Sequence, residues 1–137
     1  MEILYPMFGM IALSGIIATF LLASRMPVII KMWGNLQHAK HADVLRPHLP
    51  TRMRYITDNY NHIFEQPTLF YAVVVYLFLM QHTDETHIIL AWAFVCLRAV
   101  HSVIQLSNNN VTWRATCFAA STCCLIIMIA REAALFI

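Results

Sequence analysis

The hydrophobic positions of this chain form four long stretches broken by short polar segments, and the stretches have the length of membrane helices. From Tyr5 the residues are almost all apolar to Ser24; after Arg25 and Pro27 the apolar character resumes at Val28, Ile29 and Ile30 and closes at Trp33, with Gly34 and Asn35 as stop signals. The polar segment from 35 to 50 holds His38, Lys40, His41, Asp43, Arg46 and His48 and ends in Pro47 and Pro50; its histidines read as a solvated loop. Thr51 is placed to cap a second helix, which opens polar at Arg52 and turns wholly apolar after Pro67. Its apolar half, Thr68 to Met80, is too short to cross a bilayer alone, since a span takes ~20 residues. The turn carrying Asn61, His62 and Glu65 must therefore enter the membrane with it. A short acidic loop from His82 to Thr86 and a turn at Asn108, Asn109 and Asn110 delimit the last two stretches. The expectation is an all-α, four-span integral membrane bundle of left-handed up-down topology. It occupies residues 1–137 as one domain, with spans about 5–33, 52–81, 87–106 and 112–136.

Composition agrees. Of 137 residues, 60% are hydrophobic and 12% charged, about half the charge density of a soluble domain, and the mean hydropathy is +0.64. Disorder, collagen, coiled coil and a disulfide scaffold each need a charge, Gly or Cys content this chain lacks. Nine Lys+Arg against seven Asp+Glu leave a formal +2 with no basic block, which argues against a nucleic-acid partner. Cys96, Cys117, Cys123 and Cys124 sit in apolar stretches and read as small buried hydrophobes. Glu2 and the length of the first apolar run argue against a cleaved secretory signal. Arg25, Lys31, Lys40, Arg46, Arg52 and Arg54 flank the first loop, whereas the loop between spans two and three has no Lys or Arg. The positive-inside rule then puts the long loop in the cytoplasm of a multi-pass protein of the cell (inner) membrane or endoplasmic reticulum.

Ionisable groups inside spans are costly and mark a site by default. Glu65, Arg98, His101 and Arg114 qualify. On the second helix Arg54, Asp58, Asn61 or His62, and Glu65 recur at spacings of three and four, and Arg98, His101 and Gln105 do the same on the third. Two polar stripes thus enter the membrane from one end, with Arg114 after the next turn. Their positive charge exceeds what Glu65 balances, and an anionic ligand would satisfy it. A structural alternative is a buried Glu65–Arg98 pair that fixes helix register. His62 and Glu65 have the i, i+3 spacing of di-metal carboxylate bundles, but those need the motif on two helices and two further Glu, so no metal is assigned.

The segments RYITDNYNHIFEQPTLF (54–70), LRAVHSVIQ (97–105) and VTWRATCF (111–118), in this order and spacing, resemble the membrane-associated proteins in eicosanoid and glutathione metabolism. That family includes the microsomal glutathione transferases and prostaglandin E synthase. The resemblance covers nearly the whole chain and implies a homotrimer that binds glutathione at subunit interfaces. On matching positions it implies Glu65 at the glutathione amino group, Arg98 and His101 lining the pocket, and Arg114 beside the thiolate as the catalytic residue. Arg54, Asn61, His62, Gln105 and Phe118 complete the expected cofactor-binding set. Departures are visible: Asn61 and His62 stand where synthase-like members have Arg-Asn, Ala115 replaces a Ser, and Gln105 and Phe118 replace Tyr. The implied function is a glutathione-dependent transferase or peroxidase acting on lipophilic electrophiles that reach it through membrane lipid. The alternatives are a non-catalytic lipid- or small-molecule-binding scaffold of the same fold and, third, a small transporter subunit.

Overall fold

The structure, a computed structural model, describes residues 1–35, 40 and 45–136. His38 and His41, expected to be solvated, lie outside the described residues. Four helices carry the chain: α1 (Leu4–Trp33), α2 (Thr51–Met80), α3 (Glu85–Leu106) and α4 (Val111–Ala133), with 3₁₀ turns at Arg46–His48 and Ala134–Phe136. All four are long and apolar enough to cross a membrane.

Local chemistry sets the helix ends. α1 stops at Gly34, whose φ of 68° suits a residue without Cβ and whose N–H reaches the Ile30 carbonyl at 2.8 Å. Asp84 caps α3 by accepting the His87 N–H at 2.8 Å, and Asn110 caps α4 by accepting the Trp113 N–H at 3.3 Å. Thr51 differs from expectation. Extended Pro50 occupies the cap position, and the Thr51 hydroxyl, already inside the helix, accepts from the Arg54 guanidinium at 3.1 Å.

Packing follows helical periodicity. α2 buries Met53, Ile56, Asn59, Ile63, Pro67, Phe70, Val74 and Leu77, at intervals of three and four that keep them on one face. Phe70 stacks on Phe94 of α3 with ring centroids 4.4 Å apart and planes 9° from parallel. Met10, Ile17, Val74 and Met128 belong with that pair to the main core. A smaller core of Ile29, Leu45, Leu49, Met53 and Ile56 closes the loop end. α3 packs most extensively on α4 and α1 on α2, while α2 and α4 meet over a short length. Phe8, Ile16, Leu79 and Val103 point outward, as an apolar solvent requires. Cys117 is buried as expected, but Cys96 and Cys123 are exposed and Cys124 is half-buried, because their helix faces turn away from the bundle; all four are free thiols.

The stacked pair supplies a direct check. Phe94→Ala removes a fully buried ring and should cost about 3–5 kcal/mol, seen as a lowered Tm in detergent. Phe8→Ala, on the outer face, should shift stability by about 0.5 kcal/mol or less.

Candidate functional site

The buried face of α3 changes chemistry halfway along. Ala91, Phe94 and Val95 give way to Arg98, His101, Ser102 and Gln105 on the same face. Arg98 has no exposed surface. Its Nη1 donates to Gln66 Oε1 at 3.2 Å, its Nη2 donates to the His62 carbonyl, and its guanidinium lies 5.4 Å over the Phe118 ring. These partners take up Nη1 and Nη2, carry no negative charge, and leave Nε buried without a hydrogen-bond partner among the described residues. Gln66 is held in turn from α4: its Nε2 donates to Thr122 Oγ1, and the Ser121 hydroxyl lies 3.4 Å from its carbonyl oxygen.

Aromatic and titratable groups close around this hub. His101 meets His62 edge-on at 6.0 Å between centroids and Phe118 at 6.3 Å. His62 Nδ1 sits 3.2 Å from Glu65 Oε2, and the Glu65 side chain is 57% exposed. The structural alternative of a Glu65–Arg98 pair is therefore not what forms. Among the described residues no ion pair within 4.0 Å involves Arg98 or Arg114. Helical phase explains this, since Arg98 reaches α2 at positions 62 and 66, and Glu65 falls on the adjoining outer stripe. Beyond His101, the side-chain amides of Asn59 and Gln105 and the Ser102 hydroxyl are buried without hydrogen-bond partners among the described residues. They extend the polar seam toward the loop end.

The remaining expected residues lie in two other places. Arg54 and Asn61 line a cavity of about 150 Å³ enclosed by α1, the first 3₁₀ turn and α2, together with Arg25, Arg46 and Asp58. Arg46 bonds Asp58 at 3.0 Å, and Arg54 Nε is buried without a hydrogen-bond partner among the described residues. Three guanidiniums there face one carboxylate. Arg114, in the first turn of α4, donates to Asn109 Oδ1 at 2.7 Å, one turn before Phe118. The structure thus joins His62, Glu65, Arg98, His101 and Phe118 in one cluster, sets Gln105 at its inner edge, and separates Arg54 and Asn61 into a cationic cavity on the same stripe of α2 as Glu65.

Gln66, Ser121, Thr122 and Asn59 were missed by sequence reasoning. Gln66 had a signal: it is polar, one turn after His62, at the point where α2 becomes apolar. The α4 hydroxyls had none, because Ser and Thr in a span ordinarily bond their own helix, as Thr122 also does to the Phe118 carbonyl at 2.8 Å.

Four membrane-length helices around a cationic, polar seam define an integral membrane protein organised about its own buried charge. The model of the MAPEG family matches residues 3–134, and the chain belongs to that family, whose membrane proteins serve glutathione and eicosanoid metabolism. No curated protein and no solved structure matches it.

The hub makes a stability prediction. Gln66→Leu strips Arg98 Nη1 of its acceptor in a dry interior and should cost about 1–3 kcal/mol, read as a loss of Tm in detergent. Thr122→Val should cost less, since Gln66 retains Arg98.

Proposed function

We propose that the protein binds glutathione and uses it as a transferase or peroxidase on lipophilic electrophiles drawn from the bilayer. One observation carries this reading: Arg98 is a buried cation with no carboxylate within 4.0 Å among the described residues, and Glu65, the nearby carboxylate of the seam, is open to the outside. Glutathione has the complementary groups, two carboxylates, one ammonium and one thiol. Its carboxylates belong with the surplus cations, Arg54 beside Arg25 and Arg46 at one end and the field of Arg98 at the other. Its ammonium belongs at Glu65 and its thiol toward Arg114. Asn61, His62, His101 and Phe118 line the path between, with Gln105 behind them.

A cation beside sulfur raises the thiolate fraction that attacks an electrophile, and this is the chemistry Arg114 would supply. Ala115 and Phe118 provide no hydroxyl to assist it, so catalysis rests on Arg114 alone. The same lack of donors favours the second reading, a non-catalytic lipid- or small-molecule-binding scaffold on this fold. Glu65 faces outward on one chain, which suits a site completed by a neighbouring subunit in a homotrimer. The long basic loop then faces the cytoplasm in this account.

Glu65→Gln removes the ammonium's charge partner, a contact worth about 1.5–3 kcal/mol, so glutathione affinity should fall tenfold or more. Arg114→Ala should instead abolish the ultraviolet absorbance of the bound thiolate while binding changes less. If both variants match wild type, the scaffold reading replaces the enzyme. Native mass spectrometry in mild detergent should show trimers, and only monomers or dimers would contradict the shared site.

A further inference from the structure

Near the loop end of α1, two voids of different chemistry meet. The first is a groove of about 470 Å³ walled by Ala18, Leu21, Leu22 and Met26 of α1 and by Tyr60 of α2. The α1 residues recur at intervals of three and four, which puts them on one helix face. Leu22 is 62% exposed, so the groove opens outward, where the bilayer lies. Its volume falls within the range of ligand-holding clefts, about 300–1,000 Å³. The second void is the cavity of about 150 Å³ that carries Arg46, Arg54 and Asp58. Arg25 lines both. An apolar trough therefore runs into a cationic cavity at a single arginine.

The charges at this junction are not balanced within the chain. Asp58 pairs with Arg46 at 3.0 Å. Arg25 forms no ion pair within 4.0 Å among the described residues. Arg54 donates from Nη2 to the neutral Thr51 hydroxyl at 3.1 Å, and its buried Nε has no hydrogen-bond partner among the described residues. Two guanidiniums are thus left without an anion. A buried N–H that lacks an acceptor is costly, and a charged oxygen relieves it best.

The groove decides which oxyanion fits. Ala18 lies seven residues, about 10 Å, deeper in the span than Arg25, so the apolar wall descends from the cationic junction toward the middle of the bilayer. A free phosphate would meet the arginines and leave the groove unused. A phospholipid presents its phosphate and then its acyl chains in this order and direction. Net charge narrows the class further. A choline or ethanolamine headgroup would add a cation where cations are already in surplus, whereas an anionic headgroup brings one uncompensated negative charge to Arg25 and Arg54.

We propose that an anionic phospholipid of the loop-side leaflet binds here, with its phosphate between Arg25 and Arg54 and an acyl chain along the α1 groove. The site goes beyond the glutathione reading and does not depend on it. Where both ligands are present, the lipid phosphate and a glutathione carboxylate contend for Arg54, so a filled lipid site lowers the affinity for glutathione.

The test is native mass spectrometry of the whole protein in mild detergent, without glutathione, given equal amounts of phosphatidylglycerol and phosphatidylcholine. Wild type should retain phosphatidylglycerol in preference. Arg25→Gln and Arg54→Gln should each reduce that preference about fivefold, the worth of one basic residue toward anionic lipid. Lys31→Gln removes an exposed cation from the last turn of α1, outside both voids, and should leave the preference intact. Leu22→Trp fills the groove with every charge in place and should lower phosphatidylglycerol retention; its exposed position keeps the test open should Arg54→Gln fail to fold. Excess glycerol phosphate should not displace the lipid. Equal retention of the two lipids by wild type, an equal loss in Lys31→Gln and Arg25→Gln, or unchanged retention in Leu22→Trp would each overturn the proposal. So would displacement by glycerol phosphate, which would make the cavity a site for a free anion, or lipid found on monomers and absent from trimers, which would give the groove to a second copy of the chain.

Discussion

A guanidinium placed inside a membrane bundle must find hydrogen-bond acceptors there, and most of the site follows from how Arg98 finds them. Placing Arg near the middle of a membrane helix costs about 2.5–3.5 kcal/mol on insertion scales, so the side chain cannot be left toward lipid. It turns inward and takes the Gln66 amide oxygen, the His62 carbonyl and the Phe118 face. Those demands fix the mutual position of α2, α3 and α4 at one level. The acceptors take up Nη1 and Nη2 and leave the charge, and an unbalanced positive charge in a poorly solvated place is a standing attraction for an anion.

The two ends of the bundle handle charge in opposite ways, with the stacked Phe70 and Phe94 between them. Toward the basic loop, cations exceed carboxylates: Arg25, Arg46 and Arg54 share Asp58, and Arg98 has neutral partners. At the far end the carboxylates Asp84 and Glu132 are matched by Arg131 and two histidines. The first arrangement leaves a surplus of positive charge, and the second pairs its charges among themselves.

Much of the fold could be read from the residues, and the reasons are local. Apolar runs of membrane length mark α1 to α4, and Gly34 and Asn110 mark ends because each acts on its own backbone. Thr51 misled, since the preceding Pro50 already occupied the cap position. The stripes on α2 and α3 were visible as spacings, which is why Arg98 and His101 stood out. Their partners were not visible. Pairing Glu65 with Arg98 is reasonable from charge, yet Arg98 meets positions 62 and 66, and a shift of one residue around the helix moves Glu65 to the outer stripe. Gln66 bonds Thr122 and Arg98 across three helices, a relation that no spacing within one helix encodes. The exposure of Cys96 and Cys123 likewise depends on which face each helix turns inward.

Calorimetric titration of the purified protein with glutathione, run in two buffers of different ionisation enthalpy, tests the central claim most directly. The account predicts saturable binding at millimolar concentration or below, with proton release because the bound thiol becomes a thiolate, and binding of S-methylglutathione without that release. No binding of glutathione, or binding with the same proton balance for both compounds, would contradict it.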